Sequence, residues 1–448
     1  MATQLESPTP GLVGRPLVSP SNTAAATWAL FLGLALVMAG NGLQGSLLGI
    51  RAEAEGFGVA VSGIVMASYF AGFFAGSMYA THVLKSVGHI RVFAALASTA
   101  SSAVLIHAVW INPISWGLMR FVFGLCMAGL YVVVESWLNE LADNQTRGRL
   151  LSVYMVVTMA GVSAGQLLLN VADTNGFSLF ILSSVLVSLS LVPISLSETS
   201  APPISTPTRV SIKEIWDIVP TGLVTSLFIG AGSGTLLGIG AVYAATVGLN
   251  DSRIAIFMSA PLLGALAGQM PIGWVSDRVS RRAVIVVVSV AATVAAIAPT
   301  TVAVDSNVVI LAMFFLGATL FPAYSLGIAY TNDWLSREQV LGASGSLVRV
   351  NGTGAVLGPL VAAGLMSIVD PQMFFFVIAA TTIAIAIFVG YRVMVAEAPP
   401  ADRKVRFIPF PTRASSMAAQ LLPKKGHNRL LRPKPPQDTS PETQEHQR

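Results

Sequence analysis

The sequence predicts an all-α polytopic membrane protein whose twelve transmembrane helices form two parallel six-helix repeats. Its 448 residues are 54% hydrophobic and only 10% charged, whereas soluble domains carry about 25% charged residues. Twelve apolar segments are long enough to cross a hydrocarbon core of about 30 Å. The last six of them repeat glycine and polar positions of the first six. Such a chain cannot cover itself with a polar surface, so we expect a bilayer around it.

Polar, charged or proline-containing stretches separate the apolar segments and set their limits. We expect each segment to form one membrane-spanning helix. The segments cover residues 24–50, 58–82, 90–110, 114–140, 147–171, 176–196, 218–247, 252–275, 283–303, 306–332, 339–368 and 371–394.

Charge in the connections predicts the orientation, because short cytoplasmic loops collect Lys and Arg. Alternate connections carry Lys85, Arg91, Arg147, Arg149, Arg209, Lys213, Arg278, Arg281, Arg282 and Arg337. The other connections have no excess of basic residues. We therefore expect both termini in the cytoplasm, and a multi-pass protein of the plasma (inner) membrane.

An internal repeat divides the chain into halves. Gly72 and Gly76 recur as Gly264 and Gly268, at an offset of 192 because 264 minus 72 is 192. Six later pairs share an offset of 193: Gly124 and Gly317, Tyr131 and Tyr324, Asn139 and Asn332, Glu140 and Asp333, Gly161 and Gly354, and Gly165 and Gly358. This regularity predicts two halves with one fold in parallel orientation.

The repeat and the composition together divide the chain into five regions. They are a disordered N-terminus (1–22), a first six-helix half (23–196), a cytoplasmic linker (197–215), a second six-helix half (216–394) and a disordered tail (395–448). The tail is basic and rich in proline, a composition that does not bury a core. It either lies on anionic lipid headgroups or extends into solvent.

Composition also excludes several kinds of site. Cys126 is the single cysteine, so no intramolecular disulfide or thiolate metal site can form. No GxxxxGK[ST] loop indicates ATP binding, and no nucleophile can be paired with a base. We therefore expect no enzyme activity, no cofactor and no metal. Because the basic residues lie in short connections and in the tail, membrane lipid is expected as a partner and nucleic acid is not.

Residues 273–282, GWVSDRVSRR, carry the most specific motif of the chain. The motif resembles the signature loop of the major facilitator superfamily, with Ser280 in place of the usual glycine. The matching residues are Gly273, Asp277, Arg278, Arg281 and Arg282. The equivalent stretch of the first half keeps only Gly88 and Arg91, so the resemblance implies a cytoplasmic gate that is stronger in the second half.

Further elements extend the resemblance over about residues 24–394. Arg120 with Gly124 is similar to a fourth-helix motif of that family, and GAVLGP at 354–359 to an eleventh-helix element. The stretches ESWLN, TRGRLL and FPAYSLGIAYTND most resemble its YcaD-like branch of bacterial transporters. The resemblance implies the major facilitator fold, with a central cavity lined by the first, fourth, seventh and tenth helices.

A polar stripe follows the fourth helix. At about 100° per residue, Arg120, Gly124, Tyr131 and Glu135 lie within about 60° of each other, and Asn139 lies just beyond. The two charged positions are apolar in the second repeat, so one repeat alone carries them. A charge deep in a spanning helix costs about 2.5–3.5 kcal/mol and usually faces a polar interior. We therefore expect this stripe to face the cavity.

Two roles are open for Glu135. A carboxylate held away from water can take and release a proton as the cavity opens to either side, which makes Glu135 the proton-coupling candidate. Alternatively it is a gate ion-pair partner of Lys85, Arg147 or Arg349. Arg349 lies at a similar depth in the eleventh helix, where it either pairs with Glu135 across the halves or binds a substrate carboxylate or phosphate.

The remaining candidates divide between the cavity and the gate. The cavity candidates are Arg120, Tyr131, Asn139, Asn41, Gln44, Tyr330, Asn332 and Arg349, with hydrogen bonds between helices as the alternative role. Arg120 can also bond backbone carbonyls. The gate is expected to combine the signature-loop residues with Glu140, Asp333 and Arg147.

These observations predict a secondary active transporter that moves a small organic solute across the plasma membrane by alternating access. Glu135 favours coupling to protons. Apolar and aromatic cavity residues outnumber charges, which favours export slightly over uptake. The alternatives are an uncoupled uniporter and a membrane receptor or scaffold of the same fold. We expect a monomer.

Overall fold

The structure is a computed structural model that describes residues 20–142, 146–196, 210–396, 404, 407–411, 415 and 417–421. In this part of the chain, α-helices are joined by short turns. The helices are α1 Pro20–Ala54, α2 Val59–Val87, α3 His89–Val109, α4 Pro113–Leu141, α5 Arg147–Leu167, α6 Ser178–Leu189, α7 Leu191–Ser195, α8 Ile212–Ile218, α9 Pro220–Thr246, α10 Asp251–Arg278, α11 Arg281–Ile297, α12 Asn307–Trp334, α13 Arg337–Ile368 and α14 Met373–Val395.

Twelve spans among the described residues are long and apolar enough to cross a membrane. The helices α6 and α7 together form one of them, Ser178–Ser195, and α8 is too short to span. The predicted number of transmembrane helices is therefore confirmed, and the predicted limits agree with these spans to within five residues. Away from its ends, a helix satisfies its backbone hydrogen bonds internally, which a segment in lipid requires.

Side-chain caps fix the start of several spans. The Asn112 side chain accepts from two backbone N–H groups at the start of α4, where Pro113 occupies the first helical position. Asn250 caps α10 in the same way. Ser336 and Gln339 form a reciprocal capping box at the start of α13. These caps bond N–H groups that have no partner inside the helix, so the polar connections end where the apolar spans begin.

The two halves have the same internal packing. In the first half α2 packs on α4, α1 on α5 and α6, and α3 on α4 and α6. In the second half α10 packs on α12, α9 on α13 and α14, and α11 on α12 and α14. Each pair of the first half thus has its counterpart in the same chain order, as parallel repeats require.

The repeated glycines lie where helices of one half approach most closely. A Cβ atom added at Gly124 would meet the backbone carbonyl of Tyr69 on α2, and one at the equivalent Gly317 would meet the carbonyl of Pro261 on α10. Small residues allow such close backbone approach between membrane helices. The repeat of glycines therefore reflects helix packing within each half.

The halves contact each other directly on one face of the molecule. We call the side on which α2, α4 and α10 end, and which carries the connection between the halves, the linker face. On the opposite face, the Thr174 hydroxyl donates to the Asp251 carboxylate at 2.8 Å and the Thr246 hydroxyl donates to the Glu53 carboxylate at 3.1 Å. Both bonds join one half to the other, so the opposite face is closed.

The ends of the chain differ in part from the expectation of disorder. Residues 1–19 lie outside the described residues, and α1 already begins at Pro20. In the tail, the structure buries Phe407, Phe410, Ser415, Met417, Ala418 and Leu421. The physical reason is that helices of both halves supply an apolar surface that the tail lacks by itself. Of the predicted linker, residues 197–209 lie outside the described residues and α8 follows.

Replacing Gly317 with alanine is expected to lower the midpoint of thermal unfolding in detergent. The added Cβ would meet the Pro261 carbonyl, and overpacking of this kind costs about 1–3 kcal/mol. The matched control is Gly364→Ala in α13, where an added Cβ meets no atom within 4 Å and alanine favours the helix. A Gly317→Ala midpoint at or above that of the control would contradict the packing described here.

Candidate functional site

Glu135 is a fully buried carboxylate, six residues before the end of α4 at Leu141 and therefore about 9 Å inside that end. Its Oε1 accepts a hydrogen bond from the Tyr154 hydroxyl at 2.7 Å. Its Oε2 accepts from the Ser415 backbone N–H at 3.0 Å and from the Ser415 hydroxyl. All of these donors are neutral. None of the ion pairs formed between described residues includes Glu135, so an ionisable group is held here by dipoles alone.

The three basic candidates predicted for a gate pair do not bind Glu135 in this conformation. Arg349 instead donates to a backbone carbonyl of its own helix and, at 2.9 Å, to the Ser346 hydroxyl. Lys85 and Arg147 form no ion pair with Glu135 either. A pair between Glu135 and Arg349 therefore stays a prediction for a conformation in which the linker face is closed.

The middle of the α4 stripe packs on helices of the first half. The Tyr131 hydroxyl donates to the Met38 sulfur of α1 at 3.0 Å. Its ring lies edge-on to Phe73 of α2, with the centroids 5.7 Å apart. Nearer the linker face, the Asn139 amide donates to the Met417 carbonyl of the tail at 2.7 Å. The predicted stripe thus runs from a helix–helix contact to a contact with the tail.

Arg120 forms a separate polar site. It is buried, donates to the Gln44 side chain of α1 at 3.3 Å and lies 4.8 Å from the centre of the Tyr69 ring, a distance at which the cation is attracted to the ring face. Arg120 precedes Glu135 by fifteen residues, which is about 22 Å along the helix. A small solute cannot contact both charged groups at once.

The other cavity candidates do not join the hydrogen bonds of Glu135. Asn41 is buried on α1. Tyr330 is buried on α12, with its ring 6.4 Å from that of Trp334, and Asn332 is half-buried on the same helix. The structure therefore brings together Glu135, Asn139 and the tail, and places these three residues elsewhere.

The predicted gate network forms around Arg281, but inside the second half. The buried Arg281 guanidinium lies 2.7 Å from the buried Asp333 carboxylate and 3.4 Å from Asp277. It also donates to the Ala329 carbonyl at 3.0 Å. The group joins α10, α11 and α12, and the Phe407 N–H of the tail donates to Asp277 at 2.8 Å. Among the described residues, the network is thus linked to the space between the halves by the tail.

Two basic residues of the signature loop have other contacts. Arg278 is exposed, stacks on the Trp274 ring at 3.6 Å and donates to its carbonyl. Arg282 donates to the carbonyls of Arg392 at 3.1 Å and Ala396 at 2.9 Å. A cation is favoured at the carbonyl end of a helix, so Arg282 caps α14 at its C-terminal end.

Two further gate candidates lie on the two sides of the connection from α4 to α5. Glu140 is exposed near the end of α4, and Arg147 is half-buried at the first position of α5. No group of three or more His, Cys, Asp or Glu side chains is arranged to hold a metal ion in the described ranges.

Sequence reasoning missed Tyr154, Ser325 and the tail residues of the site. A signal for Tyr154 was present, because Glu135 and Tyr154 lie nine and ten positions from residue 144, the middle of the short connection between the antiparallel helices α4 and α5. An antiparallel hairpin places such residues at nearly equal depth. Ser325 is apolar in the first repeat, where Val132 is its counterpart at offset 193, and nothing in the sequence ties Ser415 to Glu135.

Comparison with known proteins agrees with this architecture. The family model described as Major Facilitator Superfamily matches residues 221–433. The uncharacterized MFS-type transporter YcaD of Escherichia fergusonii is 26% identical over 325 residues, which are 71% of this chain and 83% of the relative. YcaD of Salmonella heidelberg is 27% identical over 324 residues with the same coverage.

Solved structures share the fold at low identity. The nucleoside transporter NupG has a TM-score of 0.66 at 12% identity, covering 84% of this chain and 100% of that chain. A bacterial homolog of the human lysosomal transporter Spinster, in an inward-facing and occupied conformation, has a TM-score of 0.64 at 15% identity and covers 88% and 100%.

Twelve spans in two equally packed halves, together with the family model and the transporter relatives, support a membrane transporter. The family model and these relatives support a transporter of the major facilitator superfamily, similar to its YcaD branch. The resemblance seen in the sequence is thereby confirmed.

Replacing Asp333 with asparagine is expected to destabilise the protein strongly, because the Arg281 guanidinium stays buried without its closest carboxylate. Removing one partner of a buried ion pair costs about 3–5 kcal/mol, and the remaining carboxylate of Asp277 favours the lower end of this range. Thermal unfolding in detergent measures the effect. The control is Arg278→Ala, which removes an exposed cation whose ring contact contributes about 0.5–1 kcal/mol. Equal losses for both variants would contradict the assignment of a buried pair.

Proposed function

We propose that this transporter moves a small organic solute across the plasma membrane by alternating access coupled to protons, with both termini in the cytoplasm. Export is favoured over uptake. The observation that carries the proposal is the environment of Glu135. This carboxylate is buried about 9 Å inside the linker face and accepts hydrogen bonds from neutral donors only.

Proton coupling requires a group that is stable in both protonation states. The ionised carboxylate of Glu135 accepts from the Tyr154 hydroxyl and from Ser415. A protonated carboxyl can donate to the same hydroxyl groups, since a hydroxyl both donates and accepts. A salt-bridged carboxylate such as Asp333 would lose its cationic partner's attraction on protonation, whereas Glu135 has no cation to lose. Glu135 is therefore the better proton carrier.

The solute is expected to combine an apolar body with one or two polar groups. Besides Glu135 and Asn139, the described site offers Tyr324, whose buried hydroxyl bonds no described residue and which lies near enough to Glu135 to interact electrostatically. Tyr324 and Tyr131 are equivalent in the two repeats, so aromatic rings lie on both halves. Apolar sites with a few polar groups are typical of small-molecule binding, and this chemistry suits export of an amphiphilic metabolite or drug.

Alternating access requires that the opposite face can open at low energetic cost. The hydrogen bonds described there run from Thr174 to Asp251 and from Thr246 to Glu53, and Ser252 donates a further one to Asn170 at 2.5 Å. A typical hydrogen bond contributes only about 0.5–1.5 kcal/mol net, and water can replace these partners at a membrane surface. The halves can therefore separate on that side while the packing inside each half is kept.

Replacing Glu135 with glutamine is expected to abolish solute-dependent proton movement, because the amide keeps the size and the hydrogen bonds of the side chain but cannot titrate. The measurement is internal pH in sealed proteoliposomes during addition of a panel of amphiphilic solutes. Glu140→Gln is the matched control, since it removes an exposed carboxylate five residues further along the same helix.

Three outcomes distinguish the possibilities. Proton movement that is lost in Glu135→Gln and kept in Glu140→Gln supports the carrier role. Proton movement kept in both variants removes that role from Glu135. Solute entry without proton movement in the wild type identifies a uniporter, and absence of any solute response supports a receptor or scaffold.

A disulfide across the opposite face is expected to stop transport. In a Cys126→Ala background, Thr174→Cys and Asp251→Cys place thiols where the native side chains lie 2.8 Å apart. Oxidation should lock the face closed, and reduction should restore solute flux to its starting rate. Each single-cysteine variant, treated with the same oxidant, is the control. Undiminished flux in the cross-linked protein would rule out alternating access through this face.

A further inference from the structure

The tail is bound to the second half by backbone hydrogen bonds. The Phe407 N–H donates to the Asp277 carboxylate at 2.8 Å. At Phe410, the Ser325 hydroxyl lies 2.9 Å from both the backbone N–H and the carbonyl oxygen. Ser325 is nine residues before the end of α12 at Trp334, or about 14 Å inside the linker face. The tail thus enters well below the surface of the bundle.

The same segment is bound to the first half further along. Ser415 donates through its N–H and its hydroxyl to Glu135, and the Met417 carbonyl accepts from Asn139. A turn of 3-10 helix, Ala418–Leu421, then packs on α4, α5 and α13. The tail therefore bridges the two halves between α4 and α12.

Apolar side chains of the tail are buried in this space. Phe410 is 2% exposed and Leu421 is fully buried. The Phe410 ring lies 6.3 Å from that of Tyr324. The Phe407 ring occupies the position that a Cβ at Gly273 would take, so the glycine of the signature loop makes room for the tail. A buried aromatic side chain contributes about 1.5–3 kcal/mol relative to an exposed one, which makes this binding more than a surface contact.

We propose that the described tail residues 407–411, 415 and 417–421 are a tethered ligand of the transporter that occupies the solute cavity and keeps the linker face from closing. The inference rests on the proposed function in one respect, since it assigns the solute to the cavity that contains Glu135. The tail uses the two polar side chains assigned to solute binding, Glu135 and Asn139. It also fills the space between α4 and α12, which must shrink when the linker face closes. Solute binding and the change of conformation therefore both require that the tail leaves.

The tether makes such binding effective even for a segment of modest intrinsic affinity. Residue 407 follows the end of α14 at Val395 by twelve positions, which span at most about 40 Å. A short tether gives a bound group an effective concentration on the order of millimolar. A segment whose cut peptide has a dissociation constant below the protein concentration on a gel-filtration column is accordingly bound almost completely while it is tethered.

Cutting the tether after folding tests the occupancy without any solute. A protease site replaces residues 397–403 in the full-length protein, which is purified in detergent, cut and passed over a gel-filtration column. We expect most of the released tail peptide to elute with the helical bundle. Phe410→Asp should release it, because a carboxylate would be buried beside Tyr324. Gln437→Asp, which makes the same charge change outside the described residues, is the control and should retain it.

Loss of the wild-type tail peptide from the bundle to the same extent as the Phe410→Asp peptide would overturn the proposal. Retention of both peptides would overturn it as well. The thermal midpoint of the uncut Phe410→Asp protein shows that the bundle is still folded. Since elution does not depend on transport, failure of the proposed transport activity leaves this result intact.

Flux tests the inhibitory part of the proposal. With a solute found in the proteoliposome assay, uncut Phe410→Asp is expected to transport on the order of tenfold faster than wild type at limiting solute, because the tail no longer competes at its high effective concentration. Gln437→Asp should transport at the wild-type rate. Unchanged flux in Phe410→Asp, in a protein that releases its tail, would show that the tail binds the cavity without inhibiting transport.

Discussion

The absence of hydrogen-bonding partners in the bilayer core is the constraint on which this structure depends. It forces every spanning segment to be a helix, and it leaves packing, rather than exclusion of water, to hold the helices together. The glycines at Gly124 and Gly317 meet this need, because each places the backbones of two helices in contact at the same position of its half. Buried polar side chains therefore need specific partners, as Glu135 has at the candidate site and Arg281 has inside the second half.

Two buried carboxylates show how the neighbours of a group determine its chemistry. Asp333 is paired with the buried guanidinium of Arg281, an arrangement that fixes its charge and makes it part of the framework of the second half. Glu135 is equally buried but is held by hydroxyl and amide donors. A group without a cationic partner can change its charge without breaking an ion pair, which is why Glu135 rather than Asp333 is proposed as the proton carrier.

The two faces of the molecule are closed by different means. On the opposite face the halves bind each other directly, through short side chains such as Thr174 and Asp251. On the linker face the tail lies between them and is bound to both. Under the proposed alternating access, direct contacts would break and reform, whereas the tail would have to leave before the halves could meet on the linker face. The better-kept copy of the signature motif lies on the linker face beside the tail, where Phe407 packs on Gly273.

The sequence by itself determined the membrane class and the number of helices, because the length of an apolar segment decides whether it can span the bilayer. It also determined the two repeats, because glycine and polar positions recur at a nearly constant offset. It also identified Glu135 and the group of Asp277, Arg281 and Asp333, since a charge in an apolar helix requires a specific environment. Only the tertiary structure decided which groups meet. In the structure Arg349 donates to Ser346 of its own helix, Arg282 donates to a carbonyl at the end of α14, and Ser415 donates to Glu135. Those contacts join residues up to 280 positions apart, and no local pattern specifies a partner at that distance.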